Sequence, residues 1–93
     1  MSDPANIRLL IVEDDEEDFV LTRDLLREIR GKRFNIEWAS TFEEGLKAMS
    51  ANSQEVALVD FRLGAHNGIE LLQAARTAGA GSWPGTTAFT GAR

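Results

Sequence analysis

Apolar residues along this 93-residue chain fall into four short segments that alternate with stretches of helical periodicity. Short apolar or strictly alternating runs predict strands, whereas apolar positions that recur every three or four residues predict amphipathic helices. The predicted strands are residues 7–12, 34–39, 56–60 and, most weakly, 86–90, and the predicted helices are residues 16–30, roughly 40–51 and 69–78. This alternation of strands and helices indicates an α/β fold with a parallel sheet and helices on both faces.

The predicted helices each carry an apolar stripe. The inward positions are Leu21, Leu25 and Ile29 with Leu26 in the first helix, Phe42, Leu46 and Met49 in the second, and Ile69 and Leu72 near Ala75 in the third. Gly31 is expected to stop the first helix. Ser40 with Glu43, or Thr41 with Glu44, would form a capping box at the start of the second.

The second strand differs from the others because Phe34, Ile36 and Trp38 alternate with polar residues. Such alternation is typical of a half-exposed strand at a sheet edge, and we expect Trp38 to belong to the core. The first and third strands are almost wholly apolar and should lie inside. With right-handed crossovers, the predicted order is 2-1-3-4, a flavodoxin-like doubly wound sheet.

Composition fits one small globular domain, with 43% apolar and 27% charged residues. Residues 1–6 are expected to be a loose leader and residues 7–93 the domain. Cysteine is absent, and the sequence contains neither a signal peptide nor an apolar run of membrane-spanning length. We therefore expect a soluble cytoplasmic protein without membrane contact. The net charge of −5 disfavours direct binding to nucleic acid.

Carboxylates follow the two central strands. Glu13 and Asp14 come directly after the first strand, and Asp60 ends the third. Neighbouring parallel strands end at the same edge, where open α/β folds place their sites, so these side chains should meet. Helix capping alone does not explain Asp60, because the helical pattern begins only near Gly68. Crowded carboxylates raise one another's pKa or recruit a cation, and oxygen ligands of this kind suit Mg²⁺.

A magnesium ion beside a strand-end carboxylate would prepare phosphoryl transfer, with Asp60 as nucleophile and an aspartyl phosphate as product. Thr90, at the end of the fourth strand, would offer a hydroxyl to a phosphoryl oxygen. Its alternative interpretation is an ordinary β-branched strand residue.

The chain resembles the receiver domain of two-component response regulators over about residues 7–93. The resemblance rests on residues 10–15 (LIVEDD), residues 59–63 (VDFRL), residues 68–72 (GIELL) and Thr90-Gly91. The spacings from Asp60 to Gly68 and to Thr90 also match the family.

By this resemblance, Asp60 is the phosphoacceptor, which takes a phosphoryl group from the phosphohistidine of a sensor histidine kinase or phosphotransfer protein. Glu13, Asp14, Asp60 and the backbone carbonyl of Arg62 would bind Mg²⁺, and Thr90 would be the switch hydroxyl. The first helix would be the kinase-docking face. Any catalysis would be limited to the domain's own phosphorylation and dephosphorylation.

The resemblance is incomplete at the C-terminus. A receiver has a fifth strand, ending in a lysine that pairs with the phosphoryl group, and a fifth helix, and no residue here matches them. A truncated chain would expose the fourth-strand edge, through which we expect self-association.

Several functions remain as alternatives. Two alternatives to a phosphoacceptor are a phosphorylation-independent receiver-like interaction module and a truncated fragment unable to switch. A phosphatase of the haloacid dehalogenase type or a topoisomerase-primase fold needs a second acid where Arg62 stands. Dinucleotide or flavin binding lacks its glycine motif after the first strand. His66, the only histidine, is expected to be a surface loop residue.

Overall fold

The computed structural model describes residues 6–51, 54–77, 83 and 85–90. Its elements are β1 (Asn6–Val12), α1 (Glu16–Arg27), β2 (Arg33–Ala39), α2 (Phe42–Ala51), β3 (Val56–Asp60), β4 (Arg62–Leu63), β5 (His66–Asn67), α3 (Gly68–Arg76) and β6 (Thr86–Thr90). The predicted leader except Asn6, most of the loop after α3 and the three C-terminal residues lie outside the described residues. Within the described part of the chain, no helix is long and apolar enough to cross a membrane.

The main sheet is parallel, with the strand order β2-β1-β3-β6. This confirms the predicted order, since β6 is the fourth strand of the sequence pattern. A second, two-stranded antiparallel sheet, β4-β5, was not predicted. The two residues between its strands are Gly64 and Ala65, and Gly64 has φ +61°, a conformation that glycine adopts without strain.

The main core lies between the sheet and the pair α2 and α3. Its largest fully buried side chains are Leu10, Val12, Met49, Val59 and Leu71. Phe42, Leu46 and Leu72 pack against this core from its border. The predicted inward stripe of α2 is therefore confirmed.

Capping contacts fix the start of α2. The Glu44 backbone N–H donates to Thr41 Oγ1 at 3.1 Å, which confirms half of one predicted capping box. The Glu44 carboxylate accepts from the Ser40 backbone N–H at 2.9 Å and from its hydroxyl at 3.0 Å, so the return bond goes to Ser40 instead of Thr41.

The inward positions of α3 were predicted wrongly at one residue. Ile69 is 42% exposed, and Leu71 is fully buried in its place. A complete capping box between Asn67 and Glu70 starts the helix at Gly68, one residue before the predicted start. The box satisfies two N–H donors at this end of the helix, and the residues that α3 buries are Gly68, Leu71 and Ala75.

On the opposite face of the sheet, α1 packs against the edge strand β2. The ring of Phe19 stacks on Trp38 at a centroid distance of 4.5 Å. The predicted inward stripe of α1 is wrong, because Leu21, Leu25 and Ile29 are 60%, 58% and 47% exposed. Trp38 is also 36% exposed, so it lies at the border of the sheet and not in the core as expected.

Candidate functional site

The candidate site lies at the carboxyl edge of the sheet, where β1 and β3 end side by side. Val12 pairs with Val59 in the parallel register, so Glu13 and Asp60 each follow the same pair. Glu13 stays attached to the sheet, because its backbone N–H donates to the Ala39 carbonyl at 3.0 Å. The sheet register thus brings both acids to one point.

Glu13, Asp14 and Asp60 form one group, called here the acid cluster. One carboxylate oxygen from each residue lies within 4.8 Å of the others. Glu13 is buried, Asp60 is half-buried and Asp14 is exposed. The sequence therefore predicted the convergence of these side chains correctly, whereas their individual roles stay predictions.

Glu13 is the buried acid of the cluster. Loss of solvent, followed by the hydrogen bond and the negative charge of Asp60, raises the pKa of Glu13 to about 8. The Asp15 backbone N–H, which donates to Glu13 Oε2 at 3.3 Å, opposes this rise. Without a cation, the acid cluster therefore holds a proton at neutral pH.

The acid cluster fits a small divalent cation. Carboxylate oxygens are ligands that Mg²⁺ prefers in proteins, and three residues bring one such oxygen each to within 4.8 Å of the others. The positive charge of Mg²⁺ would also favour the ionised form of Glu13, which burial and the neighbouring Asp60 disfavour.

The backbone around Asp60 is held by three hydrogen bonds. The Arg62 N–H donates to Asp60 Oδ1 at 3.3 Å. The Phe61 N–H donates to the Thr90 carbonyl at 2.7 Å, and the Gly68 N–H donates to the Phe61 carbonyl at 2.8 Å. These bonds fix the direction in which Asp60 leaves the sheet. The proposed binding of Mg²⁺ by the Arg62 carbonyl stays a prediction.

Gly68 has a steric reason to be glycine. A Cβ atom at this position would lie 2.9 Å from the Asp60 carbonyl oxygen and 2.9 Å from Cδ1 of Phe89. Any side chain would therefore push α3 away from the strand end that carries Asp60. The spacing of eight residues from Asp60 to Gly68 reflects this close approach.

Thr90 lies beside Asp60 as its register partner on β6 and is exposed. Both residues end neighbouring strands, so the hydroxyl stands at the same edge of the sheet as the acid cluster. Its function as a switch stays a prediction.

Two features of the site were missed from the sequence. Trp38 Nε1 donates to the Glu13 carbonyl at 2.8 Å. His66 is exposed as predicted, but its ring stacks on Phe42 at 4.3 Å and lines a groove of about 360 Å³ that also includes Asp14. The tendency of tryptophan N–H groups to find a partner was the only sequence signal for the first contact.

No protein-family model matches this chain, and no curated protein matches it by sequence. Solved structures match this chain in fold. A MaeR response regulator bound to beryllium trifluoride has a TM-score of 0.75 and 26% identity, over 90% of this chain and 66% of its own. The receiver domain of the hybrid histidine kinase CckA has a TM-score of 0.64 and 27% identity, over 89% of this chain and 82% of its own. The chain has the receiver-domain fold of response regulators.

A third receiver structure extends the likeness in fold. The N-terminal domain of a response regulator receiver protein from Methanoculleus marisnigri JR1 has a TM-score of 0.73 at 22% identity and covers 89% of this chain. This receiver-fold chain spans 66% of the MaeR chain and 64% of the Methanoculleus chain.

Proposed function

We propose that this receiver-fold domain accepts a phosphoryl group on Asp60 from the phosphohistidine of a sensor histidine kinase or phosphotransfer protein. The observation that carries the proposal is the acid cluster, in which a strand-end aspartate meets two further acids within 4.8 Å. The likeness to response regulators, one of them solved with beryllium trifluoride, supports the same reaction class.

In this reaction a carboxylate oxygen of Asp60 attacks phosphorus, and an O–P bond forms as the P–N bond of the phosphohistidine breaks. The imidazole nitrogen leaves with the bonding electron pair. Mg²⁺, when bound, supplies positive charge that offsets the charge of the transferring group. Glu13, Asp14, Asp60 and the Arg62 carbonyl would hold it. The Arg62 N–H bond to Asp60 Oδ1 helps to orient the nucleophile.

Thr90 is proposed as the hydroxyl that responds to the new phosphoryl group. Its position opposite Asp60 in the sheet register supports this role, because a side chain at that site is within reach of a group on Asp60. Phosphorylation would then bias the surface around β6, as local charge switches generally do.

The kinase or phosphotransfer protein is proposed to dock on α1. Leu21 and Leu25 lie one helical turn apart and are 60% and 58% exposed, so they form an apolar stripe that no described residue of the chain covers. Acidic Asp18 and Asp24 lie on the same helix, and Glu28 is its C-cap residue. An amphipathic helix with basic borders suits such a surface.

The domain is proposed to act in the cytoplasm, where a phosphohistidine donor would meet it. It is proposed not to bind nucleic acid directly, because its net charge of −5 disfavours contact with phosphates. Self-association is proposed through β6, which forms one edge of the described sheet.

The test is the intact mass of the chain after incubation with Mg²⁺ and acetyl phosphate. The wild type and the control Asp18→Asn, which changes an exposed acid outside the acid cluster, should each gain one phosphoryl group. Asp60→Asn should gain none.

If all three proteins stay unmodified but Mg²⁺ binds, the chain is a phosphorylation-independent receiver-like module or a fragment unable to switch. If Asp60→Asn is modified like the wild type, Asp60 is not the acceptor.

A further inference from the structure

Trp38 joins the edge strand β2 to the acid cluster through a single polar contact. Its indole Nε1 donates to the main-chain carbonyl oxygen of Glu13 at 2.8 Å. The same ring stacks on Phe19 of α1, with an angle of 9° between the two planes. The indole is therefore held by α1 while its N–H points to the residue that begins the acid cluster.

The contact completes a two-point attachment of Glu13 to β2. The Glu13 backbone N–H donates to the Ala39 carbonyl at 3.0 Å, and its carbonyl accepts from Trp38. The register of β1 with β2 ends at the pair Val12 and Ala39, so the peptide after Glu13 lies beyond the sheet ladder. The carbonyl oxygen of this peptide is therefore held by the indole N–H, and not by a regular hydrogen bond of the strands.

That peptide carries two acids of the cluster. It joins Glu13 to Asp14, and each of these residues brings a carboxylate oxygen to within 4.8 Å of one on Asp60. Groups that orient a metal ligand support metal affinity, and their loss typically weakens binding by about 10- to 100-fold.

We propose that Trp38 is a positioning residue for divalent-cation binding: its indole N–H holds the Glu13 carbonyl and so directs Glu13 and Asp14 toward the cation. This inference rests on the proposed function, which assigns Mg²⁺ to the acid cluster.

Core packing does not account for this geometry of Trp38. The residue lies on an edge strand and is 36% exposed. Phenylalanine would keep an aromatic ring on the side that faces Phe19, and it would lose the N–H donor together with part of the ring surface. A second Trp→Phe substitution elsewhere in the chain therefore serves to separate the loss of this hydrogen bond from the loss of ring surface.

The other tryptophan provides a matched control. Trp83 is buried, and its Nε1 donates to Thr87 Oγ1 at 2.9 Å. Thr87 lies near the amino end of β6, whereas the acid cluster lies at the carboxyl edge of the sheet. Trp83→Phe thus removes the same kind of donor far from the cluster.

The experiment is a calorimetric titration of the wild type, Trp38→Phe and Trp83→Phe with Mg²⁺ alone at one fixed pH. Unfolding curves of the three proteins are recorded beside it. We expect about tenfold weaker Mg²⁺ binding in Trp38→Phe, at the low end for a residue that supports a ligand. Trp83→Phe should bind within about twofold of the wild type, whatever its stability.

A second measurement needs no variant. In ¹H–¹⁵N spectra of the wild type, Mg²⁺ should move the indole N–H resonance of Trp38 and leave that of Trp83 in place. Equal Mg²⁺ affinity of Trp38→Phe and wild type, or a Trp38 indole resonance that ignores bound Mg²⁺, overturns the inference while leaving the proposed function intact. Failure of the wild type to bind Mg²⁺ overturns both.

Discussion

Replacement of Glu13 by glutamine should remove a pH-dependent loss of stability from the cation-free protein. The pKa of Glu13 is raised from 4.5 to about 8 in the folded state, whereas the unfolded chain ionises near the ordinary value. Between these values the unfolded state releases a proton that the folded state keeps. The free energy of unfolding should therefore fall as pH rises from about 4.5 to about 8.

The size of the effect follows from the shift and from the exposure of the neighbours. If Glu13 alone carried the whole shift, each pH unit would contribute about 1.4 kcal/mol, or about 5 kcal/mol in total. Asp14 is exposed and Asp60 is only half-buried, so water reaches the acid cluster and reduces both the desolvation of Glu13 and the charge repulsion. We therefore expect a loss on the order of 2 kcal/mol between pH 5 and 8.

The assay is urea unfolding of the wild type, Glu13→Gln and the control Glu28→Gln at several pH values. A chelator in the buffer removes divalent cations. Glu28 is exposed at the C-terminal end of α1, away from the acid cluster. Glu13→Gln should lose much less stability toward pH 8 than the other two proteins. The reasoning fails if the wild type keeps its full stability at pH 8, or if Glu13→Gln loses as much as the wild type.

Three further predictions concern other parts of the fold. Gly68→Ala should lower the free energy of unfolding by about 1–3 kcal/mol, measured by urea unfolding, because the added carbon would lie 2.9 Å from the Asp60 carbonyl oxygen; an unchanged midpoint would contradict that steric reason. The double variant Leu21→Ala/Leu25→Ala should slow phosphotransfer from the cognate phosphohistidine protein but not modification by acetyl phosphate, and an equal effect on both donors would argue against docking on α1. Mg²⁺ binding to the acid cluster near pH 7 should release close to one proton, measured by calorimetry in buffers of different ionisation enthalpy; no uptake of a proton by the buffer would contradict a protonated Glu13.

The sheet could be predicted from the sequence because its pattern depends on burial of whole strands. The two apolar strands, residues 7–12 and 56–60, lie inside, and the alternating strand, residues 34–39, lies at an edge. Parallel register then requires that residues after the central strands meet at one edge. The convergence of the acid cluster followed from these two facts alone.

The side of α1 that faces the sheet could not be predicted in the same way. A stripe at i, i+4 and i+8 indicates a helix, but it does not tell whether the stripe contacts the same chain or another molecule. Here Phe19 contacts the sheet through Trp38, whereas Leu21 and Leu25 are exposed. The apolar stripe from which the helix was predicted is therefore the surface on which the kinase or phosphotransfer protein is proposed to dock.

The protonation state of the acid cluster depends on depth, which the sequence pattern does not encode. Six consecutive acids after the first strand have similar chemistry, yet only Glu13 is buried among them. Its backbone is tied to β2 at both polar groups, by Ala39 and by Trp38, and Glu13 is buried at the end of the sheet whereas the five acids after it are exposed. The same attachment that should direct Glu13 toward a cation also raises its pKa in the absence of one. The arrangement of the acid cluster would thus favour Mg²⁺ binding and lower the stability of the cation-free protein. The Glu13 variant tests the effect on stability, and the Trp38 variant tests the effect on Mg²⁺ affinity.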